Sequence, residues 1–311
     1  MLELVAPDLG AVVVEDHAPG TGGALVDRGD ELTNLSQLRA PPRRRFQSTM
    51  MAYMASPITD IDRMPRGGPD ASCVDRLLQT DRPEYLDRDD VDDKVKRSVI
   101  RALEWTGDFF GNTEKFARIA LDEVADVPDP KILELGSGHG ALSRTLLEWH
   151  PTAEVTVTDI ETASVAAISA GDLAEHPRAT VREMDATAID AADGQFDLAV
   201  FAFSFHHLPP SLASRVFAEG TRVADRLVII DLPRPPSPLH ILRLAAMLPL
   251  APVVPFAHDG LISSLRTYSP SALRALAAHA DPAIDVQLRG GLMSPQVVVA
   301  SRTLAMPPGR S

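Results

Sequence analysis

The stretch Lys131-Ile132-Leu133-Glu134-Leu135-Gly136-Ser137-Gly138-His139-Gly140 constrains the fold more than any other part of the chain. Ile132, Leu133 and Leu135 form a short apolar run of the kind a buried strand uses. Gly136, Gly138 and Gly140 then permit a tight turn and close approach of the backbone to a ligand. Ala141 to Trp149 follows as an amphipathic helix. A strand, a glycine turn and a helix in this order predict a nucleoside-type ligand on the turn.

Two ligand chemistries compete for such a turn. Gly136-x-Gly138-x-x-Ala141 satisfies the dinucleotide fingerprint, with its permitted alanine at the third position. Glu134 opposes that reading, because a pyrophosphate beside a carboxylate meets like charge in a partly desolvated site. A cationic ligand is attracted instead. Glu154-Val155-Thr156-Val157-Thr158-Asp159 alternates as a strand and ends in a carboxylate 23 residues after Gly136. Asp159 can accept both ribose hydroxyls, which supports an adenosine ligand of either kind.

The run from Glu134 to Gly140 resembles motif I of the class I S-adenosylmethionine-dependent methyltransferases, whose cofactor carries a sulfonium and an ammonium and no phosphate. The resemblance covers roughly residues 70 to 302. It implies a Rossmann-like α/β fold with a seven-stranded, mostly parallel sheet and an antiparallel last strand. It implies that Glu134, Gly136, Ser137, Gly138 and Gly140 hold the methionine end of S-adenosylmethionine. Asp159 would hold the ribose and Asp185 the adenine amino group, with Ile160, Ala186 and Phe201 as further cofactor contacts.

The strand Phe196 to Phe203 runs into Ser204-Phe205-His206-His207-Leu208-Pro209. Ligands of open parallel sheets sit beyond the carboxyl ends of the strands, and methyl acceptors lie there in the resembling enzymes. A histidine at this point can deprotonate a phenol, enol or hydroxyl as the methyl moves, since its ordinary pKa of about 6.5 suits a base at neutral pH. His206 and His207 are therefore the catalytic candidates, set against a role in shaping the pocket alone. No metal site is expected, because adjacent residues on an extended chain point opposite ways and this strand end lacks a carboxylate. An Asp/Asn-Pro-Pro-Tyr turn is absent after this strand, which lowers nucleic-acid bases as acceptors.

Composition bounds the remaining possibilities. At 311 residues the chain suggests one core domain with extensions. A net charge of -13 argues against binding a phosphate backbone, so the expected partner is a small-molecule acceptor and not a nucleic acid. The lone Cys73 suits a reducing compartment, and no secretory signal is evident, giving a cytoplasmic expectation. Leu239 to Ala257 is apolar enough to suggest a membrane span. Arg243, Pro249, Pro252 and Pro255 argue instead for a cap over a pocket, with no stable membrane insertion. Oligomeric state stays open, a homodimer among the options.

The expected organisation is a flexible leader over 1–70, a helical cap over 71–127, a methyltransferase domain over 128–302 and a tail over 303–311. One of Met50, Met51, Met54 or Met64 is a candidate translation start. Arg226 to Asp231 reads as the fifth strand, followed by an insertion over 232–268 that would cover an apolar acceptor pocket. His258, Arg266 and Tyr268 are its candidate polar contacts, with His258-Asp259 alternatively an exposed turn before Gly260. Ser269-Pro270-Ser271 caps a helix, and Ile284 to Leu288 with Gln296 to Ala300 form the closing hairpin. The chain is thus expected to methylate a small, largely apolar acceptor, preferably on oxygen, with nitrogen or carbon open. The alternatives are a cofactor-binding member without catalysis and, more distantly, an NAD-dependent oxidoreductase.

Overall fold

The computed structural model describes residues 60–302, apart from 89, 292 and 293. The expectations for residues 1–59, including the start candidates Met50, Met51 and Met54, and for the tail from 303 lie outside the described residues. Seven strands form one sheet: β1 Lys131–Leu135, β2 Glu154–Asp159, β3 Ala179–Glu183, β4 Phe196–Ala202, β5 Ala224–Asp231, β6 Ile284–Arg289 and β7 Gln296–Arg302. Their order is β3-β2-β1-β4-β5-β7-β6. β7 runs antiparallel to both β5 and β6, while β1 to β5 are parallel. The expected seven-stranded sheet with its antiparallel last strand is what the chain forms.

Both faces of the central strands are covered, which is why they read as near-continuous apolar runs. Alternation sends Leu133, Leu135, Ala199, Phe201, Leu227 and Ile229 into one core and Ile132, Leu198, Val200, Val228 and Ile230 into the other. The first core is closed by α7 (Pro210–Val223) and α10 (Pro270–Ala280). The second is closed by α3 (Asn112–Asp122) and α4 (Ala141–Trp149). The chain leaves β1 toward β2 and β3, then returns to place β4 on the other side of β1. That reversal opens a crevice at the carboxyl ends of β1 and β4.

Two groups of helices flank the sheet. α1 (Cys73–Leu77) and α2 (Asp93–Phe110) precede α3, and α8 (Ser237–Met247) and α9 (Pro255–Arg266) follow β5. Arg234, 6% exposed, joins the two groups: its guanidinium bonds the Asp75 carboxylate and the carbonyls of Asp75, Leu78 and Thr267. The short helices α5 (Thr162–Ser169) and α6 (Asp172–Glu175) lie between β2 and β3. The apolar stretch that begins at Leu239 starts within α8, and among the described residues no helix is long and apolar enough to cross a membrane. His258 and Asp259 correct the expectation of an exposed turn. Pro255 starts α9 ahead of them, the helix packs against α2 and α8, and Asp259 is only 4% exposed.

Candidate active site

The glycine turn after β1 has the backbone its sequence demands. Gly136 has φ +62, and a Cβ there would stand 2.8 Å from the Phe201 ring, so only glycine satisfies both the conformation and the close approach. Gly138, with φ +56, has open space where a Cβ would project. This leaves the backbone accessible to a ligand. The turn is tied down by Ser137 N–H donating to the Thr158 carbonyl (2.9 Å) and Gly140 N–H to the Ser137 carbonyl (2.8 Å).

Two carboxylates underlie this turn. Asp159, at the end of β2 and 7% exposed, accepts from Gly138 N–H (2.8 Å) through Oδ2 and from Glu161 N–H (2.9 Å) through Oδ1. Glu134 is 3% exposed and accepts from the Ser143 hydroxyl. Burial pushes the Glu134 carboxyl up to about 7, and the nearby Asp159 charge adds to the shift. A cation bound here draws the Glu134 carboxyl toward its charged form, whereas a pyrophosphate opposes that charge. Ser137 Oγ is buried with no protein partner, an orphaned polar group of the kind a ligand satisfies. After β3, which lies beside β2, Asp185 Oδ1 accepts from both the N–H and hydroxyl of Thr187 (2.8 Å each). Ile160 is 59% exposed beside Asp159, whereas Phe201 is 4% exposed and forms part of the floor beneath Gly136.

The Glu134 shift has a measurable consequence. A glutamate ordinarily ionises near 4.5 and this one near 7, so the folded state is penalised progressively as pH rises between those values. Glu134→Gln keeps an acceptor for Ser143 and removes that penalty. The stability gained by the variant over the parent is expected to grow from about pH 5 to about pH 8 by on the order of 2 kcal/mol. Thermal unfolding of both proteins without cofactor checks this, and a pH-independent difference would refute the shift.

The histidine pair is divided by the structure. Phe203, the residue after β4, has φ +57, a costly conformation for a non-glycine residue and one found at functional sites. Its ring stacks on Phe116 at 5.0 Å between centroids. The chain then turns through one 3₁₀ turn, Phe205–His207. His206 is 3% exposed, with Nδ1 2.7 Å from Asp231 Oδ1 and Nε2 3.5 Å from Glu84 Oε1. Its backbone N–H donates to Asp231 Oδ2 (2.8 Å). Burial alone would lower its pKa, but the carboxylates of Asp231 and Glu84 outweigh it and raise it to about 9. A proton shared between two carboxylates leaves no lone pair for an acceptor, so His206 is a poor candidate base.

His207 has the opposite disposition. Its ring is 29% exposed and Nδ1 lies 3.1 Å from Asp87 Oδ2, which leaves Nε2 as the free nitrogen. Arg266 bonds Asp87 Oδ2 (3.1 Å) and the His207 carbonyl (2.5 Å), bracing both partners. Burial raises the Asp87 carboxyl, yet the His207 hydrogen bond and charge with the Arg266 guanidinium bring it down to about 2. It is ionised throughout the range in which proteins are ordinarily handled.

The acceptor residues expected from sequence are only partly brought together. Arg266 joins the His207 group, as described. His258 stacks flat on Tyr85 at 3.8 Å and pairs with Asp259 through Nδ1 (2.8 Å). Tyr268 corrects its expectation as an acceptor contact: it is 2% exposed, packs on Phe205, and donates its hydroxyl to the Leu208 carbonyl (2.8 Å). A separate cavity of about 690 Å³ lies between Gly67 to Asp75, the proline exit of β5 and the β6–β7 turn. None of the expected cofactor or acceptor residues lines it.

These features coincide with what comparison finds. The methyltransferase domain family matches residues 132–226, from the β1 strand into β5. The chain carries a methyltransferase domain. This methyltransferase is 29% identical over 196 residues to the demethylmenaquinone methyltransferase of Thermus thermophilus, covering 58% of this chain and 86% of that one. A second demethylmenaquinone methyltransferase, from Beutenbergia cavernae, is 29% identical over 181 residues, covering 55% and 73%. Among solved structures the methyltransferase is similar to CalO1, a methyltransferase in calicheamicin biosynthesis solved with S-adenosylhomocysteine bound, at TM-score 0.49 and 18% identity over 83% of this chain and 70% of that one.

The methyltransferase uses S-adenosylmethionine, and the orphaned Ser137 hydroxyl, the open face of Gly138 and the buried acids fit that cofactor. Sequence reading missed Glu84, Asp87 and Asp231. The first two sit in a loop with no periodicity, far from β4 in the chain. Asp231 was legible as the end of β5, but its bond to His206 depends on the neighbouring strand.

Proposed function

We propose that this enzyme methylates a small, largely apolar acceptor carrying an acidic hydroxyl, with oxygen as the nucleophile. The observation that carries the reading is His207, held by Asp87 with Nε2 free, at the carboxyl end of β4. In this reading Nε2 accepts the acceptor's hydroxyl proton as the oxygen attacks, and Asp87 stabilises the imidazolium that forms. S-adenosylmethionine supplies an activated methyl group on a sulfonium. Glu134 and the Gly136 to Gly140 backbone take its methionine end, Asp159 its ribose and Asp185 its adenine, with Ile160 and Ala186 beside the base. Residues 71–127 and 232–268 then serve as the cap over the acceptor, with Arg266 and His258 near its polar end. The chain's net charge of -13 supports a small molecule over nucleic acid.

A second reading rests on the names of the relatives, which place a quinone precursor in the acceptor role. A deprotonated hydroquinone carries nucleophilic character on ring carbon as well as on oxygen. The same His207 chemistry would then lead to methylation at carbon. Incubation with methyl-labelled S-adenosylmethionine and a panel of phenols, naphthols, hydroquinones and amines, followed by NMR of the products, tests both. An O-methyl product is expected, a C-methyl product favours the second reading, and labelling of amines alone refutes the acidic-hydroxyl proposal.

A further inference from the structure

The expectation that the two histidines diverge assumed an extended chain. Phe205–His207 is instead a 3₁₀ turn, and it brings the His206 and His207 rings to 4.4 Å between centroids. One possible donor atom from each of Glu84, His206 and His207 lies within 4.8 Å of the others. We propose that these three side chains form a binding site for one divalent transition-metal ion of the zinc class.

Distances support this. His206 Nε2 and Glu84 Oε1 are 3.5 Å apart, close to the ~3.4 Å between two ligands of a tetrahedral ion whose bonds are about 2.0–2.1 Å. His207 offers the third donor, within 4.8 Å of the other two. Outer partners are already in place. His206 Nδ1 rests on Asp231 and His207 Nδ1 on Asp87, the arrangement that fixes Nε2 as a metal ligand. The Ser263 hydroxyl donates to Glu84 Oε1 at 2.7 Å.

Charge points the same way. Glu84 and Asp231 are 5% and 6% exposed, and among the described ion pairs each has only His206 as cationic partner. Asp259, 4% exposed, lies one helical turn before Ser263 and leaves Oδ2 without any partner. The Arg66 guanidinium bonds the His206 carbonyl and His258 pairs with Asp259, and a further cation among these buried carboxylates would be favourable. Two imidazoles and one carboxylate select the zinc and iron(II) class over magnesium or calcium, which prefer oxygen donors throughout. Three protein ligands leave a coordination position open. An ion on His207 Nε2 excludes a proton from that atom. If His207 is the base, as proposed above, occupancy therefore suppresses methyl transfer.

Cobalt(II) chloride, added to the untagged, metal-stripped full chain and followed by its visible ligand-field absorption, tests the site. One cobalt per chain, displaced by zinc, is expected. Glu84→Gln and His207→Asn are each expected to weaken it by more than the roughly 10- to 100-fold that loss of an outer partner costs. Calorimetric affinity for S-adenosylhomocysteine should stay unchanged in both variants, showing that they are folded. Absence of the bands in the parent protein, or bands undiminished in both variants, overturns the metal site. Cobalt uptake without S-adenosylhomocysteine binding would overturn the proposed cofactor contacts and leave the metal site standing.

Discussion

Replacing His207 by asparagine is expected to lower kcat by about 10²- to 10⁴-fold, the range that a positioned base contributes, with S-adenosylhomocysteine affinity unchanged. Asparagine can still donate to Asp87 from its amide, so the local hydrogen bond survives while the proton acceptor is lost. The cofactor turn follows β1, while His207 is held by Asp87 and Arg266 after β4, which is why binding should be preserved. Steady-state kinetics, measured with a chelator present, with the best acceptor from the panel and calorimetry with S-adenosylhomocysteine separate these quantities. A rise in KM at constant kcat would mean that His207 positions the acceptor without taking its proton, and an unchanged enzyme would exclude both roles.

Asp159→Ala is expected to weaken S-adenosylhomocysteine binding by about 10²- to 10⁴-fold. Two ribose hydroxyls bonded to one carboxylate are worth about 1.5–3 kcal/mol each. The substitution also releases the Gly138 N–H, whose acceptor is Asp159 Oδ2, and so loosens the turn that approaches the ligand. Asp159→Asn should be intermediate, since it keeps one acceptor oxygen and loses the charge. Calorimetry of the three proteins, with thermal unfolding as a control for folding, provides the check. An affinity within a few-fold of the parent would remove Asp159 from the ribose site.

The cofactor half of the site was legible because its signals are local. Backbone conformation at Gly136 and Gly138 is dictated by residue type, and the order of strand, turn and acid places Glu134 and Asp159 together in any doubly wound sheet. The acceptor half was not. The distinction between His206 and His207 depends on which carboxylate each meets, and these come from a loop near residue 85 and from the end of β5. Asp87 and Glu84 lie more than a hundred residues away in the chain and carry no periodicity. Tyr268 was misassigned because a tyrosine after an apolar insertion looks the same in sequence whether its ring faces a pocket or the core.

The sequence by itself determined the strand, glycine turn and helix around Gly136 and the preference for a cationic nucleoside ligand, since hydrophobic alternation, glycine backbone freedom and the charge of Glu134 act over a few residues, while the sheet's antiparallel edge and the cofactor's identity came from the family resemblance those motifs carry. Tertiary structure alone decided the protonation and exposure of the two histidines. Those properties are sums of burial and charge over groups distant in sequence, and they exist only once β4, β5 and the cap are packed together.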